Sequence, residues 1–158
     1  MPRYNMKGNI RADYVPAISN KNAPTTAELN AGTALALWIN DDGLTLPADQ
    51  NNVESSALGE TFIAQVVGST GGVIELNMKR DNATDTAWNL FVAGNLLGFL
   101  VVRRGTPSAT AWAAAQKVLV YPWNTHLPVP VQTARDAEDS FTVSAPVTST
   151  PAMNATVA

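Results

Sequence analysis

Between Val73 and Arg80 apolar and polar side chains alternate without a break. Ile74, Leu76 and Met78 fall on one side of an extended chain, and Glu75, Asn77 and Lys79 fall on the other. A period of two marks a strand with one face in a core and the other in water, as in antiparallel sheets. The run Thr61 to Val67 is joined to it by Gly68-Ser69-Thr70-Gly71-Gly72, whose glycines supply positive φ angles, so the two runs are expected to form a β-hairpin. Further strands are expected at Ile10 to Ala17, Thr33 to Ile39, Leu96 to Arg103, Lys117 to Trp123, Val129 to Ala134, Ser140 to Val147 and Met153 to Val157. About eight or nine short strands in one chain imply an antiparallel sandwich or barrel.

Helix is scarce. The best candidate runs from Asp85 to Ala93, with Thr84 or Asp85 as N-cap, an apolar stripe of Ala87, Trp88, Phe91 and Val92, and Gly94-Asn95 as the stop. Thr25-Thr26-Ala27-Glu28 reads as a capping box on a shorter turn that Gly32 ends. Ala109 to Gln116 fits a helix or a loop with one helical turn equally well.

At 158 residues the chain is of single-domain size and is expected to form one folded unit. Its charged fraction of 15%, against about 25% in an average soluble domain, argues against disorder and hints at surface covered by something else. A net charge of -3 argues against a protein that grips nucleic acid by neutralising phosphates. The absence of cysteine removes disulfides, thiol nucleophiles and cysteine-type zinc sites together. Met1 to Ile10 lacks the apolar run of a signal peptide, and no stretch approaches the about 20 apolar residues of a membrane helix, so an intracellular or assembled soluble protein is expected.

Charge is unevenly spread. Asn40 to Glu60 holds Asp41, Asp42, Asp49, Glu54 and Glu60 without a Lys or Arg, and reads as a long acidic loop; loops longer than about 12–15 residues are usually functional or disordered. The N-terminal segment is its opposite, since Arg3, Lys7, Arg11 and Lys21 face only Asp13. In a polymer these two zones would meet head to tail.

Chemistry is hard to find. His126 is the one histidine, which leaves no His-based metal site within a chain and a poor basis for a catalytic triad. Gly68 to Gly72 lacks the following Lys-Ser or Lys-Thr of a phosphate loop. The tight acidic clusters, Asp41-Asp42 and Asp136 with Glu138 and Asp139, read as solvated surface. The sequons Asn82-Ala83-Thr84 and Asn154-Ala155-Thr156 carry little weight without a secretion signal. Trp38, Trp88, Trp112 and Trp123, with Tyr121, suit core or interface packing better than a sugar platform. No catalytic, cofactor or metal residues are expected.

Taken in order, several segments resemble the major tail tube proteins of long-tailed bacteriophages, in particular those of actinobacterial hosts. They are Tyr14 to Asn20, Ala23 to Thr33, the acidic segment after it, a run ending Lys79-Arg80-Asp81, the helix through Trp88, Gly98 to Arg103, Val118 to Pro122 and Phe141-Thr142-Val143. The resemblance implies a β-sandwich with a flanking helix, six subunits per ring, an inner barrel of strands from all six, and rings stacked helically into a tail. It also implies that the segment 40–60 reaches an adjacent ring and that an N-terminal arm, residues 1–24, bridges subunits. Implied partners are further copies of the chain and the tape measure, terminator and distal tail proteins. DNA would pass through the lumen without specific binding, with no membrane involved, in a virion assembled in the host cytoplasm.

On this reading Arg3, Lys7, Arg11, Asp41, Asp42, Asp49, Glu54 and Glu60 are the expected contacts between subunits or rings, and Gln65, Glu75 and Asn77 the expected lumen-facing groups. Lys79 and Arg80 suit a lumen only at an interface or neutralised by Asp81 or Asp85. The competing readings are another phage structural protein, a tail terminator or capsid decoration protein, and a carbohydrate-binding sandwich.

Overall fold

A computed structural model describes residues 6–47, 49–55, 58–59, 61–62, 64–131 and 137–158. The elements follow in the order β1 (Ile10–Val15), α1 (Thr26–Asn30), β2 (Thr33–Ala34), β3 (Ile39–Thr45), β4 (Asp49–Glu54), β5 (Gln65–Gly71), β6 (Val73–Lys79), α2 (Thr86–Phe91), β7 (Leu97–Arg104), β8 (Lys117–Asn124), β9 (Val129–Pro130), β10 (Ser140–Pro146) and β11 (Ala152–Thr156). They form a mainly β architecture of three antiparallel sheets: a five-stranded sheet β11-β8-β7-β1-β2, a four-stranded sheet β3-β6-β10-β9, and a two-stranded ribbon β4-β5.

The two larger sheets make a sandwich, as expected. Ala12, Tyr14, Leu100, Val102, Tyr121 and Trp123 of the first meet Ile74, Leu76, Met78, Phe141, Val143 and Ala145 of the second in one buried cluster. The α2 residues Ala87 and Phe91 close one end, Phe91 edge-on to Trp123 with ring centroids 6.1 Å apart. Fully burying each large apolar side chain contributes about 1.5–3 kcal/mol, so this cluster dominates the stability of the sandwich.

The five-stranded sheet is covered on its other face too. Val15, Val101, Val118 and Val120 pack there against Leu29 of α1, Trp112, and Ala155 and Val157 near the C-terminus. Burial on both faces explains why Leu100 to Arg103 and Val120 to Trp123 are buried without alternation. The capping box at α1 forms as expected: the Glu28 amide donates to Thr25 Oγ1 at 3.2 Å, and the Thr25 amide donates to Glu28 Oε2 at 2.8 Å. The bond from the Thr25 amide, followed by that from the Ser19 amide, pulls the Glu28 carboxyl down from 4.5 to about 2.

The segment between β7 and β8 is irregular rather than helical. Buried Arg103 holds it by donating to the carbonyls of Pro107, Thr110 and Ala111. Arg11 and Arg103 both stack on Trp112, 4.6 and 4.9 Å from its centroid, and Trp112 Nε1 donates to Asp13 at 2.9 Å. Asp13 also receives Arg11 at 2.8 Å.

Three expectations need correction. The segment 40–60 is not a loop: β3 and β4 occupy most of it, formed by residues such as Asn40, Asp41, Gln50 and Asn52 whose weak strand propensity is overridden by pairing with β6 and β5. The expected hairpin of Thr61 to Val67 with Val73 to Arg80 does not form. Strand β5 pairs with β4, β6 pairs with β3 and β10, and Gly72 at φ 150° carries the chain from one sheet to the other. A Cβ on Gly72 would lie 2.2 Å from Pro47 Cβ, so the crossing leaves no space for a side chain. Finally, Asp85 stands at the N-cap of α2, as expected, but at φ 48° and with no capping bond from its side chain.

Candidate assembly surface

The four-stranded sheet has one bare face. Burial alternates along both β6 and β10, and turns Glu75, Asn77, Ser140, Thr142 and Ser144 away from the core. Strand β3 adds Asp42 and Thr45, which with Glu75, Asn77, Thr142 and Ser144 line a shallow trough of about 320 Å3. Asn40 Nδ2 donates to Asn77 Oδ1 at 3.0 Å and ties β3 to β6 across a bulge. Of the expected lumen-facing groups, Glu75 and Asn77 share this polar face; Gln65 lies on β5, where it accepts from Asn52 Nδ2 at 3.2 Å.

Cations at the end of this face are paired within the chain. Lys79 meets Glu138 at 2.5 Å, a contact that raises its pKa. Arg80 pairs with Asp85, lies 3.6 Å from Asp139 and stacks 4.5 Å from the Trp88 centroid. Asp85 thus neutralises Arg80, whereas Asp81 accepts from the Ala83 amide and the Thr84 hydroxyl.

The ribbon is a different kind of surface. Apart from Gly68, every residue of β4 and β5 is exposed, including Asp49, Glu54 and the cross-strand pair Val53 and Val66. Beyond it, Phe62 is 78% exposed. Few side-chain bonds brace it: Asn51 to Ser69 at 3.3 Å and the Asn52 to Gln65 contact.

Other expected contact residues scatter. Lys7 and Asp41 line one groove with Ile10, Leu37, Ile39 and Leu44. Arg11 is engaged inside the chain by Asp13, Trp112 and the Thr110 carbonyl. Arg3 and Glu60 lie outside the described residues, as does Asp136. The His126 amide donates to the Ser144 carbonyl at 2.8 Å, and among the described residues no three His, Asp or Glu side chains gather where a metal ion would be held. No described helix is long and apolar enough to cross a membrane.

Sequence reasoning missed Ser140, Thr142 and Ser144 as members of the polar face, although their spacing of two within an expected strand carried the signal. No local pattern announced the Arg11-Trp112-Arg103 stack. No curated protein matched the chain; the family model described as phage tail tube protein matches residues 1–158, its full length.

Proposed function

We propose a self-assembling role for this chain, which belongs to the phage tail tube protein family. A tail tube protein is a structural component of the virion. Copies of this one join into hexameric rings that stack helically, and the four-stranded sheets of all copies line a lumen through which the genome passes into the host cell. Assembly takes place in the host cytoplasm and ends against the tape measure, terminator and distal tail proteins.

The observation that carries this reading is the polar face of Asp42, Glu75, Asn77, Thr142 and Ser144, on a sheet whose central strands β6 and β10 bury their opposite face. Its nearby cations, Lys79 and Arg80, already have acidic partners. Among the described residues such a wall offers DNA phosphates no unpaired positive charge, and its carboxylates repel them, so a polyanion slides past without sticking. The exposed ribbon, with Asp49, Glu54, Val53 and Val66, suits a contact to the next ring.

Negative-stain electron microscopy of the purified protein across a concentration series tests the reading. Hollow tubes of repeating rings are expected, with six subunits per ring in averaged end views. A monodisperse monomer at every concentration would reject it.

A further inference from the structure

The four-stranded sheet and the ribbon share one register. Thr45 stands opposite Glu75 where β3 leaves β6, and Asp49 stands opposite Gly71 where the ribbon begins. The step from 45 to 49 on one strand equals the step from 71 to 75 on the other, whereas a β-bulge would make the two unequal. Strands β3 and β4 are therefore one side of a long antiparallel hairpin, β5 and β6 are the other, and the hairpin bends where it leaves the sandwich.

The bend is held from both sides. The Val147 amide donates to the Gly72 carbonyl at 3.0 Å, and Val147 in turn bridges Trp123 of the five-stranded sheet, which ties Gly72 to the body. On the facing strand Leu46 packs against the core cluster, and the ring of Pro47 restricts its own φ to about −65°. A Cβ on Gly72 would meet Pro47 Cβ at 2.2 Å and Pro47 Cα at 3.3 Å. A Cβ on Gly71, one residue earlier, would have nothing within 4 Å.

A glycine between two elements often serves as a place where the backbone swings freely. The surroundings of Gly72 argue for the opposite use. Its φ of 150° favours glycine, and its Cα lies so close to a rigid proline ring that the backbone has little room to turn. Glycine is needed here for close approach.

We propose that Pro47 and Gly72 form a rigid elbow that aims the ribbon while the subunit is still free, and that Gly72 is thereby a positioning residue for the contact between copies. The second part rests on the ring reading above. Strands β4 and β5 have no core beneath them, so their direction is set where they leave the body. A ribbon held at one angle gives up less conformational freedom on docking than a swinging one, so the elbow lowers the cost of assembly.

The chain has no cysteine, so spin labels can be placed at two chosen points, Val67→Cys on the ribbon and Met153→Cys on β11, both exposed. Electron-spin distance measurements on the dilute, unassembled protein are expected to give one narrow distribution. Gly72→Ala is expected to shift or broaden it. Pro47→Gly, which introduces no clash, is expected to broaden it, and Gly71→Ala, which points into open space, to leave it unchanged. Circular dichroism checks that each body is folded, and if Gly72→Ala does not fold, Pro47→Gly decides. A broad distribution with the elbow unaltered, or a narrow one that survives Pro47→Gly, would overturn the lock. An equal change from Gly71→Ala would overturn the steric role of Gly72.

The same substitutions without labels are then followed by electron microscopy. Gly72→Ala is expected to raise the concentration at which tubes appear severalfold, and Gly71→Ala to leave it unchanged. Tubes that form as before with a shifted elbow would overturn the positioning role and leave the tube reading standing. If the unaltered protein forms no tubes at any concentration, the tube reading and the positioning role fall together, and the distance distribution still decides the lock.

Discussion

The five-stranded sheet and the β4-β5 ribbon share a backbone pattern and differ in nearly everything else. The central strands of the sheet are buried on both faces, by the sandwich core on one side and by Ile18, Leu29 of α1 and Trp112 on the other. The ribbon is bare on both, with Val53 and Val66 open to water. A two-stranded ribbon of this kind has marginal stability by itself in water. The contrast separates two sources of order: the body is held by its own side chains, whereas on the proposed assembly the ribbon would gain its missing buried area from another copy.

The sharpest way to break that contrast is to attack the body where it buries charge. Asp13 accepts from Arg11 and from Trp112 Nε1, and Arg103 also stacks on that indole. Removing the carboxylate leaves two guanidinium groups close together and an indole N–H without its partner. Asp13→Ala is expected to cost about 3–5 kcal/mol, as for other broken buried pairs, read as a large drop in Tm by thermal unfolding. A loss below about 1 kcal/mol would show that the stack contributes little to the body's stability.

A smaller effect is expected at the outer cover of the same sheet. Thr25→Ala removes the cap of α1 and is expected to cost about 1 kcal/mol in denaturant unfolding. Glu28 adds a pH signature. The fold favours its carboxylate, moving it from 4.5 to about 2, so its contribution is complete above about 4.5 and is lost as the pH falls towards 2. The stability difference between the unaltered protein and Glu28→Gln should therefore shrink over that interval; a difference independent of pH would show that the carboxylate charge plays no part.

These two regions also mark what was legible in the chain. The alternation from Ile74 to Lys79 and the capping box of Thr25 and Glu28 are local signals, and local geometry obeyed them. The segment 40–60 failed as a loop because strand formation there depends on remote partners: Leu44 is paired by Leu76, and Val53 by Val66. The five glycine and hydroxyl residues from 68 to 72 gave a turn signal, yet Gly68, Ser69, Thr70 and Gly71 complete β5 and only Gly72 turns the chain. Of the candidate surface, Glu75 and Asn77 were readable from period two. Arg103 was not, since a buried cation is chosen by the carbonyls of Pro107, Thr110 and Ala111 that gather around it.

An exposed ion pair should matter less again. Arg80 bridges Asp85 and Asp139 over the ring of Trp88, joining the end of β6 to the start of α2. Surface pairs contribute about 0–1 kcal/mol and are screened by salt, so Arg80→Gln is expected to lower stability within that range, and less in high salt. A cost unchanged by salt would assign the effect to stacking on Trp88 instead of charge.

The smallest effect on the isolated chain is expected in the ribbon, and there it is most informative. Val53 and Val66 pair across the two strands with no core beneath them, so Val53→Ser with Val66→Ser removes no buried side chain from the monomer. Its unfolding free energy should stay within about 0.5 kcal/mol of the unaltered value, as for substitutions away from buried features. Tube formation should respond quite differently, with the concentration at which tubes appear rising severalfold, because the lost apolar contact would be made only between copies. Measuring both quantities on one variant separates the two sources of order: a drop in monomer stability would place Val53 and Val66 in the body's own energetics, and unchanged assembly would mean that the ribbon's contact with its neighbour does not run through them.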